Sequence, residues 1–139
     1  MRLFLQVQIN RFNHESFGSH LLKYASSLSS DLMGTDLDSQ SDPAIADMVC
    51  RMVRQAESVF LLVQCNDPNI GSGAAQRVFN TLVEMEDKVS AAVLCGQHRT
   101  TETLLLGFQQ RFSRESDPEK IKEMILEFSK GSRTPAGSS

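Results

Sequence analysis

The stretch Ser58–Cys65 reads Ser-Val-Phe-Leu-Leu-Val-Gln-Cys, an almost unbroken apolar run of strand length that stops at Asn66-Asp67-Pro68. A strand covered on both faces has no reason to alternate, so the run predicts a central strand buried on both sides. Residues 89–95 repeat the pattern with Ala91, Ala92, Val93 and Leu94, and end at Gly96. Between the two, Ser72 opens a predicted helix to about residue 86, with Val78, Phe79, Leu82 and Val83 on its buried side. A strand, helix, strand unit of this length is a right-handed crossover joining parallel strands.

The rest of the chain supplies elements of the same two kinds. From Arg2 to Ile9, Leu3, Leu5, Val7 and Ile9 point one way while Phe4, Gln6 and Gln8 point the other. That period of two predicts a strand, and its glutamines predict an edge position or a partly polar face, with less burial than the strands that follow. Asn13 caps a predicted helix over about 14–28, with Phe17, Leu21, Tyr24 and Leu28 on one face. Residues 26–41, rich in Ser and Asp, read as a long surface loop or a lid, holding at most one short strand near Leu32. Asp42-Pro43 starts a helix that runs to about residue 57, in which Ile45, Met48, Val49, Met52, Val53 and Ala56 recur at three and four.

Two further helices are expected, one over about 101–114 and one from Asp117-Pro118 with Ile121, Met124, Ile125 and Phe128 inward and a stop at Lys130-Gly131. Residues 132–139 have nothing to pack and are expected to be disordered, leaving 1–131 as a single α/β domain. The alternation predicts a three-layer α/β/α sandwich with a small, mostly parallel sheet of three to five strands. In architecture alone this resembles flavodoxin, receiver or Toll/interleukin-receptor-like domains; none of their sequence motifs is matched.

Composition narrows the partners. With 40% hydrophobic and 22% charged residues the 139-residue chain is of ordinary globular type, and a formal charge of −3 with scattered Lys and Arg argues against nucleic acid or an anionic membrane surface. No apolar run approaches the ~18 residues of a membrane span, and the alternating N-terminal segment reads as a strand instead of a signal peptide, so a cytoplasmic location is expected. Cys50, Cys65 and Cys95, odd in number and each in an apolar segment, read as reduced, buried thiols.

In an open parallel sheet, ligands bind beyond the carboxyl ends of the strands. Three segments qualify: 10–14 with Arg11, Asn13 and His14; 66–73 with Asn66, Asp67, Gly71, Ser72 and Gly73; and 96–100 with His98 and Arg99. Gly71 and Gly73 allow close backbone approach, Ser72 offers a hydroxyl, and a following helix offers N–H groups to an anion. The blander reading of that loop is an Asp67-Pro68 turn with Ser72 as a helix cap. His98 suits a general acid or base and Arg99 a two-point anion contact, against the alternative of a solvated loop end. Were these loops to converge, they would suit a phosphorylated or nucleotide-like ligand.

Other chemistries find less support. Cys95 precedes Gly96-Gln97-His98-Arg99, whereas a cysteine-phosphatase loop needs five residues between Cys and Arg, so Cys95 reads as a core residue. His14, His20, His98 and the cysteines lack metal-ligand spacing, and Asp31, Asp36, Asp38 and Asp42 read as solvation. No cofactor is expected; flavin is disfavoured by one tyrosine, no tryptophan and no hydroxyl-rich loop after the first strand. Two functions stay open. The first is a binding or regulatory module without catalysis, partnered by a protein or a second copy through the Met48 and Met52 stripe or the edge strand. The second is a small enzyme or sensor acting on a nucleotide or phosphorylated metabolite.

Overall fold

The computed structural model describes residues 1–9, 18–39 and 41–130, the side chains of 18 and 19 excepted. Strand β1 (Arg2–Ile9) is followed by α1 (Gly18–Leu28), β2 (Leu32–Asp38), α2 (Pro43–Gln55), β3 (Ser58–Cys65), α3 (Ala75–Glu84), β4 (Val89–Gly96), α4 (Arg99–Leu105), β5 (Phe112–Arg114) and α5 (Pro118–Ser129). All neighbouring strands pair in parallel, in the order β2-β1-β3-β4-β5, which is a flavodoxin-like topology.

Side-chain alternation divides the core into two layers. Leu3, Leu5 and Val7 of β1, Val59, Leu61 and Val63 of β3, and Leu94 of β4 pack with Val49 and Val53 of α2, Val78, Phe79 and Leu82 of α3, and Leu105 of α4. On the other face Phe4, Phe60, Leu62 and Val93 meet Leu21 and Ala25 of α1 and Ile121, Ile125 and Phe128 of α5. The expected sandwich is therefore present, with helices on both faces. Asp42 and Asp117 start α2 and α5 as the Asp-Pro pairs predict, each carboxylate accepting from the N–H two residues on, Ala44 at 2.8 Å and Glu119 at 3.0 Å.

Four local expectations change. Strand β1 is not at an edge: β2 and β3 flank it, and Phe4 and Gln6 are as buried as its aliphatic face. The segment read as a loop or lid contains the full edge strand β2, which anchors itself through only Leu32 and Leu37, too few to give a period. An edge strand with one solvated side needs no more. Helix α3 begins at Ala75, not Ser72, and Val83 is half exposed. The predicted helix over 101–114 is α4, then a 3-10 stretch Leu106–Arg111 broken at Gln109 (φ 56°), then strand β5. The predicted disordered tail 132–139 and the start of the first predicted helix lie outside the described residues.

Candidate functional site at the carboxyl end of the sheet

Strands β1 and β3 are neighbours, but the helices that follow them, α1 and α3, lie on opposite faces of the sheet. Connections that diverge this way make the topological switch point at which ligands of open α/β sheets bind. The candidate residues of the sequence fall around it, except those of segment 10–14, Arg11, Asn13 and His14, which lie outside the described residues.

The loop after β3 is held by an Asx turn and by backbone bonds to the ends of β1 and β2. The Asp67 carboxylate accepts from the Asn69 N–H at 3.0 Å, the Asx turn expected of Asp-Pro, and exposed Asn66 donates its N–H to Ile9 O at 3.2 Å. Gly73 has φ 56° and lies so close to β2 that a Cβ there would sit 2.0 Å from Ser39 O. Its glycine serves backbone packing, whereas Gly71 is open. The first N–H groups of α3 are engaged: Ala74 donates to Ser39 O, Ala75 to Ser72 O and Gln76 to Gly73 O, each at 3.1 Å. An anion at this helix start would have to displace those bonds. Ser72 caps nothing through its side chain; its hydroxyl is buried and unpartnered, and its carbonyl makes the contact.

His98 is neither a solvated loop end nor an open acid or base. It is 3% exposed and caps α4. Its Nε2 donates to Ile70 O at 2.7 Å, and its Nδ1 accepts from the Thr101 N–H at 3.3 Å and the Thr101 hydroxyl at 2.8 Å. The partners set the tautomer, since a carbonyl only accepts and a backbone N–H only donates. The loops after β3 and β4 meet through a histidine whose ring nitrogens are both committed, while Arg99 is exposed. His98→Ala is expected to cost about 2 kcal/mol, from the lost cap and the polar partners left unpaired. His98→Asn, able to cap, should recover about half. Urea denaturation checks this, and a cost below ~0.5 kcal/mol would mean that the imidazole bonds do not form.

The thiols are also turned away from chemistry. Burial pushes the Cys65 thiol up, a backbone hydrogen bond at Asp67 opposes, and the Asp67 charge adds to the rise. Burial likewise raises Cys95, against a hydrogen bond with Ser116 and with a further rise from Glu115. Both stay protonated at neutral pH, where a nucleophile needs a thiolate. Only Cys50 is fully buried, its S–H donating to Arg77 O at 3.7 Å and its sulfur accepting from the Thr81 hydroxyl at 3.3 Å. It floors a groove of about 450 Å³ between α2 and α3, bridged by Arg77–Asp47 at 2.9 Å and Arg54–Glu84 at 3.8 Å. Among the described residues no cluster of three or more His, Cys, Asp or Glu has metal-binding placement, and no helix is long and apolar enough to cross a membrane.

What the loop-centred reading missed lies on the strands themselves. Asp38, Gln8, Gln64 and Cys95 form one cross-strand row over β2, β1, β3 and β4, on the face covered by α1 and α5. Two residues back, the next row is Asp36, Gln6, Leu62, Val93 and Ser113. The carboxyl half of this layer thus sets amides and carboxylates beside Leu62 and Val93, where its amino half holds Phe4 and Phe60. Gln6 is 1% exposed and Gln64 8%, yet Gln6 Oε1 and both polar atoms of the Gln64 amide have no hydrogen-bond partner. Each buried polar group left in that condition costs ~1–3 kcal/mol, so their retention calls for a partner. The signal was present in Gln6 and Gln8, which marked a polar face, and in Gln64 as the one amide in the apolar run of β3.

Comparison with protein-family models, with curated proteins and with solved structures returns no match.

Proposed function

We propose that the protein is a binding or regulatory module, without catalysis of its own, that takes a small polar molecule at the carboxyl end of its sheet. The observation that carries this reading is the Gln64 amide, nine-tenths buried beside the switch point with donor and acceptor both unpartnered. Committed His98 nitrogens and protonated Cys65 and Cys95 thiols agree with binding more than with turnover. Exposed Ile45 and Met48, one turn apart on α2, offer a surface through which a protein partner or second copy would sense the bound state. The buried, unpartnered Ser72 hydroxyl favours the second reading, an enzyme or sensor for a nucleotide or phosphorylated metabolite held by the loop after β3.

A thermal-shift screen of neutral polar compounds beside their phosphorylated counterparts separates the two. A ligand at 100 times its Kd stabilises by about 2.7 kcal/mol, which at ~2.1 cal/mol/K of unfolding entropy per residue raises the midpoint of this chain by roughly 9 °C. If Gln64→Met abolishes the shift and no compound is turned over, the binding module stands. If Ser72→Ala or Arg99→Ala abolishes it, or a phosphorylated compound is consumed, the second reading replaces it.

A further inference from the structure

We infer that the ligand of this site is a neutral molecule presenting a hydrogen-bond donor and acceptor side by side on one planar edge, as a nucleobase or a primary carboxamide does, and not a phosphate or carboxylate. The inference rests on the reading of the polar end of the sheet as the binding site.

It follows from which atoms lack partners. Gln64 has an amide whose NH₂ and C=O are both free, so it is satisfied in full only by a group that accepts one bond and donates the other. A planar edge with adjacent donor and acceptor does this in one two-point contact, the geometry by which glutamine reads an adenine edge. Gln6, on the neighbouring strand one row below, adds a second bare carbonyl oxygen, which asks for another donor. A fully ionised phosphate or carboxylate has only acceptors. It would satisfy the Gln64 NH₂ and leave both amide oxygens unanswered.

Charge points the same way. Asp36 ends the row that contains Gln6, and the Glu115 charge acts on Cys95 at one end of the row that contains Gln64. The Arg114 guanidinium, on the strand beside Cys95, is committed to Glu102 at 2.5 Å. An anion entering this layer would face like charges, whereas a neutral edge would not.

The test uses the full chain, ¹⁵N-labelled, with the glutamine side-chain NH₂ signals assigned by their loss in Gln64→Met and Gln6→Met. Adenosine, nicotinamide, adenosine monophosphate and inorganic phosphate are titrated in turn. The expected result is that adenosine or nicotinamide moves the Gln64 NH₂ signals, that the monophosphate binds no tighter than the nucleoside, and that phosphate alone moves nothing. Gln64→Met should weaken binding at least tenfold while remaining folded, with Gln6→Met as the second variant should the first unfold. Response to adenosine alone identifies a base, and response to nicotinamide a carboxamide. If phosphate moves the Gln64 signals, or the monophosphate binds at least tenfold tighter than adenosine, the ligand class is overturned and the site reading survives. If no probe moves those signals, both fall together, and the amides are structural.

Discussion

Phe60→Ala is expected to lower stability by about 4 kcal/mol, within the ~3–5 kcal/mol range of buried Phe-to-Ala truncations. The ring is 1% exposed in the amino half of β3, with its centroid 5.6 Å from that of Phe4 on β1 and 5.7 Å from that of Phe128 on α5. It joins the central strand to its neighbour and to the helix above, so truncation removes two ring contacts as well as buried area. The neighbours that would have to collapse into the space are themselves held by the sheet and by α5, which limits relaxation. The midpoint of thermal unfolding should fall by roughly 14 °C, and the urea midpoint should fall with an unchanged slope. Phe60→Leu, which keeps most of the volume, should lose less than half as much. A loss below ~1 kcal/mol for the alanine variant would mean that the ring is not enclosed in this layer.

Gly96→Ala is expected to cost about 3 kcal/mol although it adds a single methyl group. Gly96 ends β4 with φ 97°, a conformation that side chains rarely adopt, and it pairs with Cys65 at the end of β3. A Cβ placed there would sit 2.2 Å from Cys65 O, a backbone atom that cannot swing aside as a side-chain tip can. Relief requires separating the carboxyl ends of two central strands, next to the row that contains Gln64. The variant should therefore disturb the Gln64 side-chain NMR signal as well as stability. Gly71→Ala is the control, since nothing lies within 4 Å of its added atom, and it should stay within ~0.5 kcal/mol of the parent. Equal stability of the two variants would contradict the close approach of β4 to β3.

The candidate site was only partly legible in the sequence, and for a definite reason. Glycines and polar residues in a loop announce flexibility and hydrogen-bonding capacity, but not whether another segment has already claimed them. Gly73 faces the Ser39 carbonyl, and His98 holds Ile70 and Thr101, contacts between segments up to 34 residues apart. The glutamines, by contrast, announced a polar face through the period of β1, and only the register of β1 with β3 placed Gln64 beside Gln8 in a single row.

Local physics determined the element types, because burial on both faces forces continuous apolar strands such as β3, and an Asp-Pro pair both caps a helix and fits its first turn, as at α2 and α5. These signals are written in consecutive residues and need no distant partner. Edge or centre, by contrast, depends on which strands arrive alongside. That is why β1, with its two glutamines, is interior, why β2 forms from a Ser- and Asp-rich segment that pairs on one side only, and why β5 needs just three residues beside β4. Strand order, the commitment of His98 and the unanswered amides of Gln6 and Gln64 are properties of neighbours in space, which the tertiary structure alone decided.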